Sequence, residues 1–272
     1  MLTLTNGPTV VGLFPDLGAS IQRFTHGDFD VLRRGRPDTP LDMASFPLVP
    51  WTNRISDGVF GWESRIVDVG GSAITGEPHG LHGHGWVWKW EITESTQTTA
   101  RLRFLHPAGR WPWRYEAALA VSVEPGRLDQ TLTVRNLSDE PMPASLGFHP
   151  YFERPARLTA NVDGHWVGDT VIPSHWEETE AFRGADVDSR SYDTTFTGWD
   201  GRAFIETHGA RIAVQSDLPN LHVYSPTGRG FFCLEPVGAA PDALNQPERG
   251  GEIVPPGQLA SASMRISLVG SS

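Results

Sequence analysis

Short runs in which apolar and polar residues alternate recur along the chain, and they constrain its fold more than any other feature. In one run, Tyr115, Ala117, Leu119, Val121 and Val123 alternate with smaller or polar neighbours. A period of two residues indicates a β-strand with one buried face. Similar runs are TVVGLF, ARLRFL, RLDQTLTV, ARIAVQS, NLHVYS and residues 264–268. No segment keeps a helical spacing over three turns, so the chain is predicted to be all-β.

Turn residues separate these runs, with 29 glycines and 22 prolines in clusters such as EPG, NLSDEP and SPTGRG. Strands that follow one another without intervening helices favour antiparallel sheets packed face to face, or a barrel. All-β domains often reach ~200 to 250 residues, so residues 1–272 are predicted to form a single domain. The polar stretch from Pro173 to Asp193 is expected to be a long loop.

Charge and cysteine content exclude several classes of partner. The formal net charge of −10 disfavours binding to nucleic acid or to an anionic membrane. No stretch approaches the ~18 apolar residues of a membrane span. Cys233 is the only cysteine and cannot form an internal disulfide, and the start MLTLTNGPTV lacks the pattern of a signal peptide. The expected location is therefore the cytoplasm.

Five polar clusters lie beside aromatic or turn residues: PWTNRISDG, GLHGHGW, SLGFHPYF, SYDTTF and FFCLEPVGAAPDALN. In this order they resemble the aldose 1-epimerase family, also called galactose mutarotases, from about residue 45 to about residue 250. The resemblance implies a large antiparallel β-sandwich, the galactose mutarotase-like supersandwich, with a sugar in an open cleft on one concave sheet. It also implies an isomerase that interconverts the α and β anomers of a free monosaccharide.

Exchange of anomers requires one acid and one base. The base takes the proton of the anomeric hydroxyl while the acid protonates the ring oxygen; the ring opens, the aldehyde rotates, and closure reverses both transfers. A histidine and a carboxylate suit these roles near neutral pH. The reaction needs neither a metal nor an organic cofactor, so none is expected.

The resemblance makes His149 the general acid and Glu235 the general base. Alternation in FFCLEPV predicts that Cys233 and Glu235 share one strand face, with Glu235 at the end of the strand before a proline. Taken without the resemblance, His149 is also compatible with a structural role at a strand end, and Glu235 with a surface position. Cys233 is expected to be a small buried residue and not a nucleophile.

Three further residues are expected to bind the sugar. By resemblance, Arg54 donates to sugar hydroxyls, His82 bonds near the ring oxygen, and Asp193 accepts from hydroxyls away from the anomeric carbon. In the family two glycines commonly follow the histidine, and here His84 takes one of these places, which favours a supporting role for it. Three other carboxylates near Asp193 leave its assignment open: Asp186, Asp188 and Asp200.

Tryptophans flank the proposed sugar residues. An indole offers a flat apolar face to a sugar ring as readily as to a protein core. Trp51 and Trp86 are expected to contact the sugar, and Trp88 is a further candidate, although packing in the core is the alternative for each of them.

Three alternatives to a free-sugar epimerase remain open. His82 and His84 have the spacing of two metal ligands on one strand face, as in cupins, but the next glutamate, Glu91, lies farther away than that pattern requires. A sugar-binding protein without catalysis is the second. A hexose-phosphate mutarotase is the third, and it would need a basic cluster, of which the densest is Arg33, Arg34 and Arg36. Monomer and homodimer are not distinguished.

Overall fold

The structure of the protein is a computed structural model that describes residues 1–180, 182–187 and 191–270, with the backbone alone for residues 183–186. Three single-turn 3-10 helices span Pro40–Asp42, Ser56–Gly58 and Pro247–Arg249, and every other regular element in these ranges is a β-strand. None of the helices there is long and apolar enough to cross a membrane. The all-β prediction is confirmed.

The strands are numbered in chain order. The first fourteen are β1 Leu2–Asn6, β2 Thr9–Phe14, β3 Ser20–His26, β4 Phe29–Asp30, β5 Pro47–Leu48, β6 Arg54–Ile55, β7 Val59–Trp62, β8 Arg65–Asp68, β9 Gly80–Leu81, β10 Glu91–Ser95, β11 Thr99–His106, β12 Tyr115–Glu124, β13 Arg127–Asn136 and β14 Met142–Ala144. The others are β15 Gly147–Phe148, β16 Tyr151–Glu153, β17 Arg157–Ala160, β18 Gly164–Val167, β19 His175–Glu178, β20 Arg183–Asp186, β21 Asp193–Thr197, β22 Arg202–Thr207, β23 Ala210–Ser216, β24 Asn220–Tyr224, β25 Phe231–Val237, β26 Glu252–Val254 and β27 Leu259–Val269.

Two large antiparallel sheets organise the chain. One has nine strands in the order β10-β11-β12-β13-β27-β23-β22-β17-β20. The other has eight strands, β19-β18-β21-β24-β25-β15-β5, with β16 also paired to β25. Strands β1 to β4 form a separate four-stranded sheet, and three two-stranded sheets pair β6 with β9, β7 with β8 and β14 with β26.

The core lies between the two large sheets. In the nine-stranded sheet, the alternating residues of β12 predicted to be buried, from Tyr115 to Val123, are at most 2% exposed. In the eight-stranded sheet, Leu221 and Val223 of β24 and Leu234 of β25 are fully buried and belong to the same cluster. Two sheets that share one apolar layer form a β-sandwich, as predicted. The opposite face of the eight-stranded sheet is therefore available for a site.

One prediction about local structure is wrong. The stretch from Pro173 to Asp193, expected to be a long loop, contains the short strands β19 and β20. Strand β19 pairs with β18 as the last strand of its sheet, and all four of its side chains are exposed. A strand exposed on both faces needs no apolar alternation, so the pattern that predicts half-buried strands is absent from it.

Candidate active site

Neighbouring strands of the eight-stranded sheet bring three polar residues into one row. Thr195 of β21 lies opposite His222 of β24, and His222 lies opposite Glu235 of β25. Residues that are paired across strands share a face, and so do residues two apart in one strand. Cys233 and Glu235 therefore share the face that points away from the core, as predicted, while Leu234 points into the core.

Glu235 is not at the end of its strand, which is a correction to the sequence prediction, because β25 continues through Pro236 to Val237. On one side β25 pairs first with β16 and then with β15, and the chain leaves the sheet between them at residues 149–150. The backbone nitrogen of Pro236 faces this interruption, as does that of Leu234 two residues earlier, which donates to Pro150 O at 3.3 Å. Proline has no backbone N–H to donate. Because the neighbouring strand is interrupted beside Pro236, no regular hydrogen bond between the strands is lost there.

His149 occupies this interruption between β15 and β16. Its backbone N–H donates to Phe46 O at 3.0 Å, and its ring stacks against Phe46 and against Tyr151, with centroids 4.4 and 4.7 Å away. Its Nε2 lies 3.2 Å from Oε1 of Glu235. The two groups expected to transfer protons are therefore in direct contact, and both are almost completely buried.

Burial shifts the pKa values of this pair in opposite directions. Loss of water lowers the pKa of His149 well below 6.5 and raises the pKa of Glu235 well above 4.5, because both charged forms are disfavoured. A carboxylic acid beside a neutral imidazole holds the same number of protons as a carboxylate beside an imidazolium. The two forms differ only in which of the two residues carries that proton, and Nε2 and Oε1 lie 3.2 Å apart.

His82 faces the same centre from the segment after β9. Its ring is perpendicular to that of His149, with centroids 5.4 Å apart. Its Nδ1 accepts a hydrogen bond from the backbone N–H of Asn53 at 3.1 Å. Burial lowers the pKa of His82 well below 6.5, so the ring is neutral. A neutral ring that accepts at Nδ1 carries its hydrogen on Nε2, so His82 is a donor at that atom.

Arg54 and Asp193 meet beside this centre. Glu77 binds the guanidinium through two contacts, Nε to Oε2 at 2.8 Å and an Nη to Oε1 at 3.2 Å. The other Nη lies 3.4 Å from Oδ1 of Asp193. Burial alone would raise the pKa of Asp193, but hydrogen bonds from His222 and Arg54 outweigh it and lower the pKa to about 2. Asp193 is thus a carboxylate at any physiological pH.

His222 connects Asp193 to two buried residues through its two ring nitrogens. Its Nε2 lies 3.1 Å from Oδ1 of Asp193, and its Nδ1 lies 2.8 Å from the hydroxyl of Thr195 and 3.2 Å from Nδ2 of Asn53. The site therefore combines a buried acid–base pair with a pre-positioned carboxylate and guanidinium. Such a set can exchange protons with a neutral ligand and bond to its hydroxyl groups.

Comparison with known proteins identifies the family of the chain. The model of the family described as aldose 1-epimerase matches residues 1–267. The chain belongs to the aldose 1-epimerase family. An Escherichia coli K12 relative, the uncharacterized protein YphB, is 28% identical over 286 aligned positions that cover 97% of each chain.

Solved structures agree with the family assignment. A candidate aldose 1-epimerase from E. coli K12 superposes with a TM-score of 0.91 at 27% identity and covers 98% of each chain. The galactose 1-epimerase of Lactobacillus acidophilus NCFM has a TM-score of 0.79 at 16% identity, covering 98% of this chain and 93% of that one. At this low identity the second match shows the shared fold alone, and the two together confirm the predicted galactose mutarotase-like sandwich.

The tryptophans occupy different places in this aldose 1-epimerase fold. Trp86 is 2% exposed and packs on Phe46, 5.4 Å away between centroids, and on the edge of His82, so it supports the acid–base centre. Trp51 is 5% exposed and stacks on Trp111 within the core. Trp88 is 38% exposed and lies against His84. Of the two predicted to contact sugar, only Trp86 packs against a histidine of the centre, His82.

His84, the departure from the family pattern, turns toward the core. Its Nδ1 lies 2.9 Å from the hydroxyl of Tyr115, and its ring stacks on His106 with centroids 4.5 Å apart. Burial lowers the pKa of His84 to about 3, so the ring is neutral. Since His82 faces the acid–base centre instead, the two histidines do not form the shared metal site that their spacing suggests.

Within the described ranges, His82, His149 and Glu235 form a buried group whose potential ligand atoms lie within 4.8 Å of one another. Spacing alone would allow a metal ion there. A metal would need the lone pair of Nε2 of His82, which carries the hydrogen because Asn53 donates to Nδ1. The donor set therefore suits a hydroxylated ligand better than a cation.

Three residues of this network are absent from the sequence predictions: Asn53, Glu77 and His222. Asn53 directly precedes Arg54, and that adjacency is the one signal available in the sequence. His222 lies in the predicted strand NLHVYS, where alternation places it on a face but does not show that it lies beside Glu235.

The sequence leaves three alternatives to Asp193. Asp188 lies outside the described residues, as does the side chain of Asp186. Asp200 bonds to Asn161.

Proposed function

We propose that this protein is a cofactor-independent aldose 1-epimerase, with His149 as general acid and Glu235 as general base. The observation that supports it most is the buried contact of 3.2 Å between the two groups, whose pKa values are shifted in opposite directions. A raised pKa makes the Glu235 carboxylate a stronger base, and a lowered pKa makes the His149 imidazolium a stronger acid. A protein that only bound sugar would need neither property.

The cycle uses both forms of the pair. With the proton on His149, the carboxylate of Glu235 takes the hydrogen of the anomeric hydroxyl. The bond between the anomeric carbon and the ring oxygen breaks, the imidazolium protonates that oxygen, and an open-chain aldehyde results. The pair is then a carboxylic acid beside a neutral imidazole, which is the form that burial favours. Rotation about the bond to the aldehyde carbon and reversal of both transfers give the other anomer.

The remaining polar groups would orient the sugar. Oε2 of Glu235 has no hydrogen-bond partner among the described residues and is the atom free to accept the anomeric proton. Nε2–H of His82 points toward the same centre and would donate near the ring oxygen. Arg54 and Asp193 would bond to hydroxyl groups farther along the ring.

A free aldose suits these surroundings better than a hexose phosphate. Arg33 lies over the ring of Tyr151 at 3.6 Å and donates to carbonyl oxygens of Leu41 and Met43. Arg34 is paired with Asp30. Arg36 lies 4.0 Å from carboxylates at residues 38 and 42. Each cation of the predicted basic run thus already has a partner. We place the activity in the cytoplasm, where the buried thiol of Cys233 would stay reduced.

The test follows the equilibration of freshly dissolved α-glucose and α-galactose by polarimetry, with NMR exchange measured on a panel of free and phosphorylated aldoses. We expect acceleration with at least one free aldose. His149→Ala and Glu235→Gln should each remove most of it, by roughly 10² to 10⁴-fold. Matched thermal melting curves would show that both variants fold.

Three outcomes would count against the proposal. Sugar binding without acceleration would favour a non-catalytic binding protein. Activity confined to phosphorylated sugars would favour a hexose-phosphate mutarotase. Unchanged turnover in either variant would refute the assigned roles.

A further inference from the structure

We propose that Asn53 is a positioning residue that makes His222 a neutral ring with its hydrogen on Nε2, so that His222 donates to Asp193 and holds that carboxylate for the sugar. This inference rests on the proposed function only where it concerns sugar. Four observations support it: the orientation of one amide, the hydrogen bonds of one imidazole, the backbone at residue 53 and the row of residues that ends at Glu235.

The side-chain amide of Asn53 has one possible orientation. Its Oδ1 accepts a hydrogen bond from the backbone N–H of Arg54 at 2.9 Å. If the amide were turned over, its NH₂ group would face that N–H, and two donors would meet. Nδ2 is therefore the atom 3.2 Å from Nδ1 of His222. Since an amide nitrogen can only donate, Nδ1 of His222 must accept.

That requirement decides where His222 carries its hydrogen. A ring that accepts at Nδ1 is neutral and has its hydrogen on Nε2, which lies 3.1 Å from Oδ1 of Asp193. Thr195 does not decide the matter, because its hydroxyl, 2.8 Å from the same Nδ1, is able to donate or to accept. A continuous chain of hydrogen bonds thus runs from the backbone of Arg54 through Asn53 and His222 to Asp193.

Asn53 serves a second histidine through its backbone. Its N–H donates to Nδ1 of His82 at 3.1 Å, and its carbonyl oxygen accepts from the backbone N–H of His82 at 3.0 Å. It has a φ of +57°, in the left-handed region that asparagine and aspartate tolerate better than most residues. One residue thereby sets the donor atoms of two rings that face the site.

The consequence for the site is a carboxylate with a defined set of free lone pairs. Oδ1 of Asp193 is occupied by His222 and Arg54. The other carboxylate oxygen, Oδ2, is left to accept hydrogen bonds from a ligand. His222 also lies directly opposite Glu235 across the strands, so an uncharged ring there adds no positive charge beside the base. A positively charged ring would favour the ionised carboxylate of Glu235 and weaken it as a base.

The sharpest test is Asn53→Asp, because it keeps the shape and the tolerance of positive φ but replaces the donor at Nδ2 with an acceptor. We expect Nδ1 of His222 to become protonated so that it bonds to the new carboxylate. The ring would then carry hydrogens on both nitrogens. In ¹⁵N NMR spectra of uniformly labelled protein at neutral pH, the unprotonated Nδ1 signal of His222 seen in the wild type should disappear.

The matched control is Thr195→Val, which removes the other partner of Nδ1 and leaves the donor of Asn53 in place. It should retain the unprotonated Nδ1 signal. Melting curves of both variants would confirm that they fold. Asn53→Asp should lower kcat by about tenfold with a smaller change in KM, because the doubly protonated ring still donates to Asp193 while its positive charge weakens Glu235 as a base.

Different outcomes separate the two proposals. If wild-type His222 carries its hydrogen on Nδ1, or if Asn53→Asp leaves the spectrum unchanged, the role of Asn53 is refuted whatever the activity. If the NMR result is as expected but the wild type accelerates no aldose, the proposed function fails while the assignment of Asn53 stands. An equal fall in kcat/KM for Thr195→Val would mean that general disruption, and not the donor, explains the loss.

Discussion

The proton shared by His149 and Glu235 determines how activity should depend on pH. Because burial lowers the pKa of His149 and raises that of Glu235, the pair keeps one proton over a wide range. Below the lowered pKa the pair gains a second proton and the base is lost. Above the raised pKa it loses its only proton and the acid is lost. We expect kcat/KM to be flat across neutral pH and to fall on both sides.

Initial rates of polarimetric equilibration between about pH 4 and pH 10 would measure this profile, with a variant in the exposed pair Arg101 and Glu94 as a neutral control. The ordinary pKa values of the two groups are 4.5 and 6.5. A narrow maximum of kcat/KM between pH 4.5 and pH 6.5 would contradict a pair made of a neutral imidazole and a carboxylic acid.

Asp193 should contribute to stability in a different pH range. Its pKa is lowered from 3.8 to about 2 in the folded protein, so its contribution is complete above pH 3.8 and is lost as the pH falls through about 2. Because its side chain is 31% exposed, water screens the interaction, and we expect about 1 kcal/mol. Urea unfolding of the wild type and Asp193→Asn should differ at pH 5, and the difference should shrink toward pH 2.5. A constant difference would disprove the linkage.

Site residues can be predicted from the sequence where they lie in recognisable clusters. The family resemblance predicts five of them, and the structure brings all five into one region: His149, Glu235, Arg54, His82 and Asp193. Glu77, Asn53 and His222 are not predicted, because their importance depends on partners far away in the chain. His222 meets Asn53 across 169 residues, and no local pattern encodes such a contact.

At the scale of the element, the segment that follows β9 places His82, and Gly83 makes it possible. Gly83 has a φ of +70°, and a Cβ there would lie 2.2 Å from the carbonyl oxygen of Val49. Gly76, with a φ of +74°, has nothing within 4 Å of such a Cβ. Gly76→Ala should cost only the strain of the left-handed backbone, ~1 to 2 kcal/mol.

Gly83→Ala should cost several kcal/mol more than this matched control and reduce activity, because the chain that holds His82 must move. Urea unfolding midpoints of both variants would measure the difference. Equal destabilisation would show that backbone strain alone, and not the close approach to Val49, requires glycine at position 83.

Strands with one buried face were predictable and the others were not. The run TVVGLF coincides with β2, and ARIAVQS with β23, because each places alternate side chains in the core. Strand β19 has no buried side chain, so its sequence lacks the pattern. The continuation of β25 through Pro236 was missed for another reason: a proline is acceptable only where the neighbouring strand is interrupted, and that interruption is a property of the assembled sheet.

At the scale of the molecule, the sandwich was predictable as a class, but the order of its strands was not. The central pair of the nine-stranded sheet joins Leu128 to Ile266, and β22 and β23 enter the sheet from another part of the chain. Any of the predicted strands offers an apolar face of the same kind, so alternation does not select partners. The resemblance supplied the architecture that the periodicity left open between a sandwich and a barrel.

A core shared by both sheets predicts that the whole chain unfolds in one step. Leu132 of the nine-stranded sheet and Leu221 of the eight-stranded sheet are fully buried in the same cluster. Leu132→Ala and Leu221→Ala should each cost ~2 to 5 kcal/mol. In urea, tryptophan fluorescence and far-UV circular dichroism should give coincident transitions for the wild type, and each variant should shift both probes equally. Two separate transitions, or a shift of one probe alone, would mean that the sheets unfold independently and that residues 1–272 do not act as a single domain.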